Sequence, residues 1–184
     1  MRSPRVRDDR TPEAEVILLG LDLSLTAAAA VAVPCDWDGC WRRVRSVVVG
    51  ERLSRSASDL ERAKRTEAIA ARLVAFARAT GATVAFFESY GFSMRTSAHS
   101  LGEVGGVVRL ELVRAGLEIR TANMGSARKL LLGKVPRGDA KVAVYAALRA
   151  DGAPLETADE TDAMCAANLG LSELGGFCFA QVAA

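Results

Sequence analysis

One stretch constrains the fold more than any other. Val16-Ile17-Leu18-Leu19-Gly20-Leu21-Asp22-Leu23 is a continuous apolar run interrupted by a single acid near its end. A half-buried strand alternates apolar and polar residues, whereas a strand covered on both faces is apolar throughout. The run therefore predicts a central strand whose sheet carries helices on both sides. An ionised carboxylate at the end of such a strand is costly unless it is paired or bound to a cation. Asp22 is thus the first residue that packing alone does not explain.

The next segments read as partners for that strand. Ser24-Leu25-Thr26 is a turn, residues 27–33 form a second strand of small side chains, and residues 36–39 turn again. Residues 41–53, with Val44 and Val47-Val48-Val49, form a third strand. Two hairpins in succession make an antiparallel three-stranded start. The period then changes. Ser58 or Asp59 caps a helix running to about residue 80, where Gly81 stops it. Leu60, Ala63, Ile69, Leu73 and Phe76 give this helix its apolar stripe. Thr83-Val84-Ala85-Phe86-Phe87 is a short apolar strand, again closed by an acid, Glu88. A helix at about 98–115, a strand at 117–120, and helices at about 125–132, 139–150 and 160–174 complete the pattern. The fold class is α/β, a five-stranded mixed sheet flanked by helices.

Composition sets the outer bounds. The 184 residues suit one domain, and a chain half hydrophobic and one quarter charged is not a disordered polymer. Residues 1–14, with mixed charges and two prolines, read as a disordered tail, and 15–184 as a single domain. No apolar run approaches the ~18 residues that span a bilayer, and no signal-peptide pattern follows Met1. A soluble cytoplasmic protein is expected, with no membrane partner and no organic cofactor.

The net charge of +2 hides a local segregation. Arg120, Arg128, Lys129, Lys134, Arg137, Lys141 and Arg149 lie in a segment whose one acid is Asp139, and Glu156, Asp159, Glu160 and Asp162 follow. A basic stretch beside an acidic cluster suits an anion and a metal ion respectively. Cys35, Cys40, Cys165 and Cys178 do not form paired CxxC motifs, so a zinc ribbon is poorly supported. Cys35 and Cys40 flank a turn and are read as free thiols in a reducing compartment.

The acids form the constellation that carries chemistry. If the strands ending in Asp22 and Glu88 are parallel neighbours, both carboxylates emerge at one sheet end, where α/β proteins place ligands. Asp159 and Asp162, three apart, share one face of the last helix. The small side chains of Ala163-Met164-Cys165-Ala166-Ala167 let that helix lie close to the sheet. Four carboxylates brought together do not all stay ionised without a cation between them. Oxygen-only ligands favour magnesium or manganese, and two such ions ~4 Å apart can clamp a phosphodiester. Plainer readings stand beside this one. Asp159 can be an N-cap, Glu160 a first-turn acid favoured by the helix dipole, and Asp22 or Glu88 a surface or Arg-paired group.

In this order the motifs resemble those of the RNase H-like nuclease superfamily, most closely the RuvC-type Holliday junction resolvases. Gly20-Leu21-Asp22-Leu23-Ser24-Leu25-Thr26 is similar to the first-strand motif, Phe86-Phe87-Glu88-Ser89-Tyr90 to the central-strand glutamate, and Asp159-Glu160-Thr161-Asp162-Ala163-Met164 to the paired-aspartate helix. Leu101-Gly102-Glu103-Val104-Gly105-Gly106 resembles the opening of the dimer-contact helix, and Gly133-Lys134-Val135-Pro136-Arg137-Gly138-Asp139-Ala140-Lys141 the basic loop. The resemblance covers about residues 16–170. It implies an RNase H-like fold and a metal-dependent endonuclease, usually a homodimer, that nicks four-way DNA junctions. It implies Asp22, Glu88, Asp159 and Asp162 as ligands of Mg2+ or Mn2+, two ions per site, with Lys141 as the basic catalytic residue near the scissile phosphate. Arg128, Lys129, Lys134, Arg137 and Lys141 would contact DNA, and Tyr90 and Phe92 would stack at the junction centre. Lys141 can equally be a solvated helix residue, and Phe92 a core plug. The stripe Val104, Val107-Val108 and Leu112 serves either the core or a dimer contact.

Three other functions compete with this one. An RNase H-like nuclease for flaps, forks, RNA–DNA hybrids or structured RNA, as in YqgF-like proteins, would use the same carboxylates. A sugar kinase or actin-like ATPase also opens with Gly-x-Asp-x-Ser/Thr, but typically needs two such domains. A catalytically silent DNA-binding module has no need of four acids in a repulsive cluster.

Overall fold

The computed structural model describes residues 15–88, 98–136 and 138–176. The expected tail at 1–14 lies outside the described residues. Five strands form one sheet in the order β3-β2-β1-β4-β5: β1 Ile17–Asp22, β2 Ala28–Pro34, β3 Arg45–Val49, β4 Ala82–Glu88 and β5 Glu118–Ala122. β1 pairs antiparallel with β2 and parallel with β4, so the sheet is mixed and the acid-bearing strand is its centre. β2 pairs antiparallel with β3, and β4 parallel with β5.

The continuous apolar run is explained by two cores, one on each face. Successive residues of a strand point to opposite faces. Leu18 and Phe86 join a core built with the last three helices, α3 Met124–Leu132, α4 Ala140–Ala150 and α5 Ala158–Glu173. Leu19, Leu21 and Phe87 join the other, built with α1 Asp59–Thr80 and α2 Ala98–Arg114. Gly20 and Asp22 alternate with Leu21 and so share the face of Leu18, and Glu88 shares the face of Phe86. Both strand-end acids thus look toward α5.

α5 is buried around most of its circumference, from Glu160 to Asn168 without a break. A helix enclosed all round belongs inside a layered core, and this one lies between the sheet and helices α3 and α4. Its approach to β1 depends on missing side chains. A Cβ on Gly20 would stand 2.0 Å from the Ala163 carbonyl oxygen and 2.6 Å from the Ala167 nitrogen. On the helix side, a Cβ on Gly170 would stand 2.5 Å from Leu18 and 2.7 Å from Phe86.

Local signals set most boundaries. Ser58 accepts from the Glu61 amide while Glu61 accepts from the Ser58 amide, a capping box, and Gly81 closes α1 at φ 72°. Two expectations need correction. Leu60 is 64% exposed and Ala63 is exposed too, because α1's buried face begins only at Ile69. The first turns of α1 instead border an open groove shared with Val107 of α2. The third strand is also shorter than its apolar content suggests. Trp41–Arg43 form a 3-10 turn, and the Trp41 indole donates to the Asp151 carbonyl at 3.1 Å and carboxylate at 3.0 Å. That tie to the end of α4 draws the segment off the sheet. Cys35, Cys40 and Cys165 are free thiols, and Cys178 lies outside the described residues. Among the described residues no helix is long and apolar enough to cross a membrane.

Candidate active site

The site begins with how α5 starts. Thr157 is its N-cap, accepting from the Glu160 amide at 3.1 Å, and Glu160 returns the bond by accepting from the Thr157 amide at 2.8 Å. Ser46 of β3 donates to the other Glu160 oxygen at 2.6 Å. This reciprocal cap corrects the N-cap reading of Asp159 and gives Glu160 a structural role. It leaves the carboxylates of Asp159 and Asp162 free to face the sheet end.

They meet Asp22 around one cation. Asp139 caps α4 by accepting from the Lys141 amide at 3.1 Å, which places Lys141 in the helix's first turn. The Lys141 ammonium donates to Asp159 Oδ1 at 2.6 Å and Asp22 Oδ2 at 2.9 Å, and lies 3.1 Å from Asp162 Oδ2. Lys141 is therefore no solvated helix residue. Arg128 of α3 holds Asp162 with two bonds, Nε to Oδ1 at 3.1 Å and a terminal nitrogen to Oδ2 at 2.8 Å. A forked guanidinium–carboxylate pair fixes both position and orientation.

Glu88 closes β4 beside Asp22, one step past the Leu21–Phe87 register pair. Its side chain is exposed, and its charge is felt at Asp22. Burial pushes the Asp22 carboxyl up to about 6, against the pull of Lys141 and with the help of Asp162 and Glu88. Glu88 is raised as well, by partial desolvation and then by Asp162. The Lys141 ammonium is held well above its ordinary range: its own desolvation works against this, but Asp159, Asp22 and Asp162 outweigh it. Strand-end acids that resist ionisation beside fixed cations are an arrangement typical of functional sites.

The donor set is oxygen only, which fits a hard divalent cation. The spacing is that of carboxylates around an ammonium. Among the described residues no group of three or more His, Cys, Asp or Glu side chains stands as a ready metal cage. Asp22, Asp159, Asp162 and Lys141 thus come together, with Glu88 on the adjoining strand end. Lys129 and Lys134 are exposed, the first in α3 and the second just after it. Tyr90, Phe92 and Arg137 lie outside the described residues. Sequence reasoning missed the Arg128–Asp162 pair, for which no local pattern exists. It also missed the Thr157-x-x-Glu160 capping box, which the spacing does signal.

The fold has precedents among solved structures. The chain superimposes on T. thermophilus RuvC in complex with a Holliday junction substrate with a TM-score of 0.64, covering 87% of this chain and 96% of that one at 16% identity. A second Thermus thermophilus RuvC structure gives 0.63, with 90% and 99% covered at 15% identity. The chain has the RuvC fold. No family model matches it, and no curated protein matches it in sequence. The likeness to RuvC is thus one of architecture, carried over nearly the whole chain, with β1 and β4 at the centre of the sheet.

Proposed function

We propose that this protein is a metal-dependent, structure-selective endodeoxyribonuclease that cleaves phosphodiesters at four-way DNA junctions. The observation that carries the reading is the meeting of Asp22, Asp159 and Asp162, from a central strand and a buried helix, on one cationic nitrogen. A fold needs no such cluster for stability, because burying like charges costs free energy. Asp22, Glu88, Asp159 and Asp162 would hold Mg2+ or Mn2+, in two positions. Such ions would supply Lewis-acid chemistry, lowering the pKa of bound water and offsetting charge on the departing oxygen.

The chain's own residues do the rest. Arg128 keeps Asp162 in one orientation. Lys141 offers positive charge where charge builds on the phosphate. Lys129, Lys134 and Arg137 would hold backbone phosphates, and Tyr90 and Phe92 would stack on unpaired bases. In α2 the apolar stripe divides: Val104, Val108 and Leu112 are buried in the core, while Val107, Leu110 and Val113 are exposed. Val107 borders a groove of about 1020 Å³ against α1, and the exposed apolar face would suit a homodimer matched to a two-fold junction.

The test is substrate choice. Purified protein with Mg2+ or Mn2+ is offered a four-way junction, a flap, a linear duplex and an RNA–DNA hybrid, with Asp22→Asn as control. Paired symmetric nicks in the junction are the expected result. Preference for the flap or hybrid moves the reading to another RNase H-like nuclease, and equal activity of Asp22→Asn overturns the site.

A further inference from the structure

Lys141 as placed cannot do what a phosphate-contacting lysine does. An ammonium has three N–H donors. Two of them are committed to Asp159 and Asp22, and Asp162 Oδ2 lies 3.1 Å from the same nitrogen. The nitrogen sits where the carboxylates of β1 and α5 point, at the position a divalent cation bound by these acids would take. Its N···O distances run from 2.6 to 3.1 Å, whereas Mg–O bonds are ~2.0–2.1 Å. An ion held by these same acids would have to take the ammonium's place, because two cations cannot share one point.

We propose that Lys141 is the site's resident cation, which a divalent ion displaces, so that metal loading and release of Lys141 toward the DNA backbone are one exchange. This rests on the metal-nuclease reading above and adds an order of events to it. Before loading, Lys141 satisfies three acids that would otherwise repel one another. After loading, the ion takes over those acids and the ammonium becomes free for a phosphate. Arg128 is the cation that stays: from α3 it holds both oxygens of Asp162, including the Oδ2 that faces Lys141. The device guards the fold against its own acid cluster when metal is scarce. It also withholds one phosphate contact until the site is loaded.

Two measurements without activity as a readout test this. The first is Mn2+ affinity by calorimetry for wild type, Lys141→Gln and Lys141→Met. Removing the competing charge is expected to tighten Mn2+ binding roughly ten-fold or more. The second uses wild type alone, so it survives any folding defect of the variants. Acylation of Lys141 by an amine-reactive reagent, followed by mass spectrometry, is expected to speed up several-fold when Mn2+ is added, relative to the exposed Lys64. Variants that bind Mn2+ no tighter, or a Lys141 labelling rate unmoved by saturating Mn2+, overturn the exchange and leave the nuclease reading standing. Absence of Mn2+ binding in wild type and variants alike overturns both.

Discussion

Replacing Asp22 by asparagine should stabilise the metal-free protein while abolishing its activity. The Asp22 side chain is buried, and its carboxyl is pushed from 3.8 up to about 6. The folded state thus holds this proton more tightly than the unfolded chain does. Between pH 3.8 and about 6 the unfolded state loses the proton first, so stability falls as pH rises through that window. Above it both states are ionised and the penalty is constant. The difference between the two values corresponds to ~3 kcal/mol, with the attraction of Lys141 already included. The amide of the Asp22→Asn variant carries no charge in either state and escapes the penalty. At pH 7.5 in EDTA the variant should gain up to ~3 kcal/mol, or roughly 6–12 °C in Tm for a chain of this size. The gain should shrink below pH 6 and vanish near pH 4. Thermal unfolding followed by circular dichroism across pH 4–8, beside a junction-cleavage assay, measures both halves. A variant less stable than wild type at pH 7.5, or a difference independent of pH, would show that Asp22 is a structural partner of Lys141 and refute the reasoning.

Three further outcomes follow from the geometry. Gly20→Ala places a methyl group against backbone atoms of α5, so β1 and α5 must separate. It should cost ~1–3 kcal/mol in urea unfolding and remove most nuclease activity by parting Asp22 from Asp159 and Asp162. Arg128→Gln leaves Asp162, 2% exposed, without its forked partner. It should destabilise by ~3 kcal/mol, a loss that a further Asp162→Asn change largely restores in a double-mutant cycle. Junction affinity should fall steeply with salt, and Lys129→Ala or Lys134→Ala should each lower the slope of log affinity against log salt by about one.

The parts of the fold legible in the sequence were those with a local physical signature. The apolar run at residues 16–23 needs cover on both faces, and both cores supply it. The capping residues of α1 and the glycine that ends it act within one turn of the chain, so Gly81 stands as read and, of the two candidates Ser58 and Asp59, Ser58 is the cap. Leu60 misled because a helical stripe records which side of a helix is apolar, not how far along it the core extends. Trp41 misled because an aromatic residue among valines suits a strand, while its partner, Asp151, lies 110 residues away.

The site divides along the same line. Asp22 and Glu88 stood out because acids are rare at the ends of buried strands. Asp159 and Asp162 stood out because their spacing puts them on one helix face. A glycine within an apolar strand signals a close backbone approach, but it does not name Ala163 and Ala167 as the residues approached. The engagement of Lys141 with three acids depends on where α4 docks against α5, and the Arg128–Asp162 pair depends on α3 doing the same. These two cations decide how many carboxylates the cluster can keep ionised. Four acids facing one another would favour protonation or separation, whereas the ammonium and the guanidinium hold Asp162 between them and bring Asp22 and Asp159 within reach of one nitrogen. A chain whose acids alone were read would be judged to need metal in order to fold. This one brings its own counter-charges, and its carboxylates are assembled around Lys141 and Arg128.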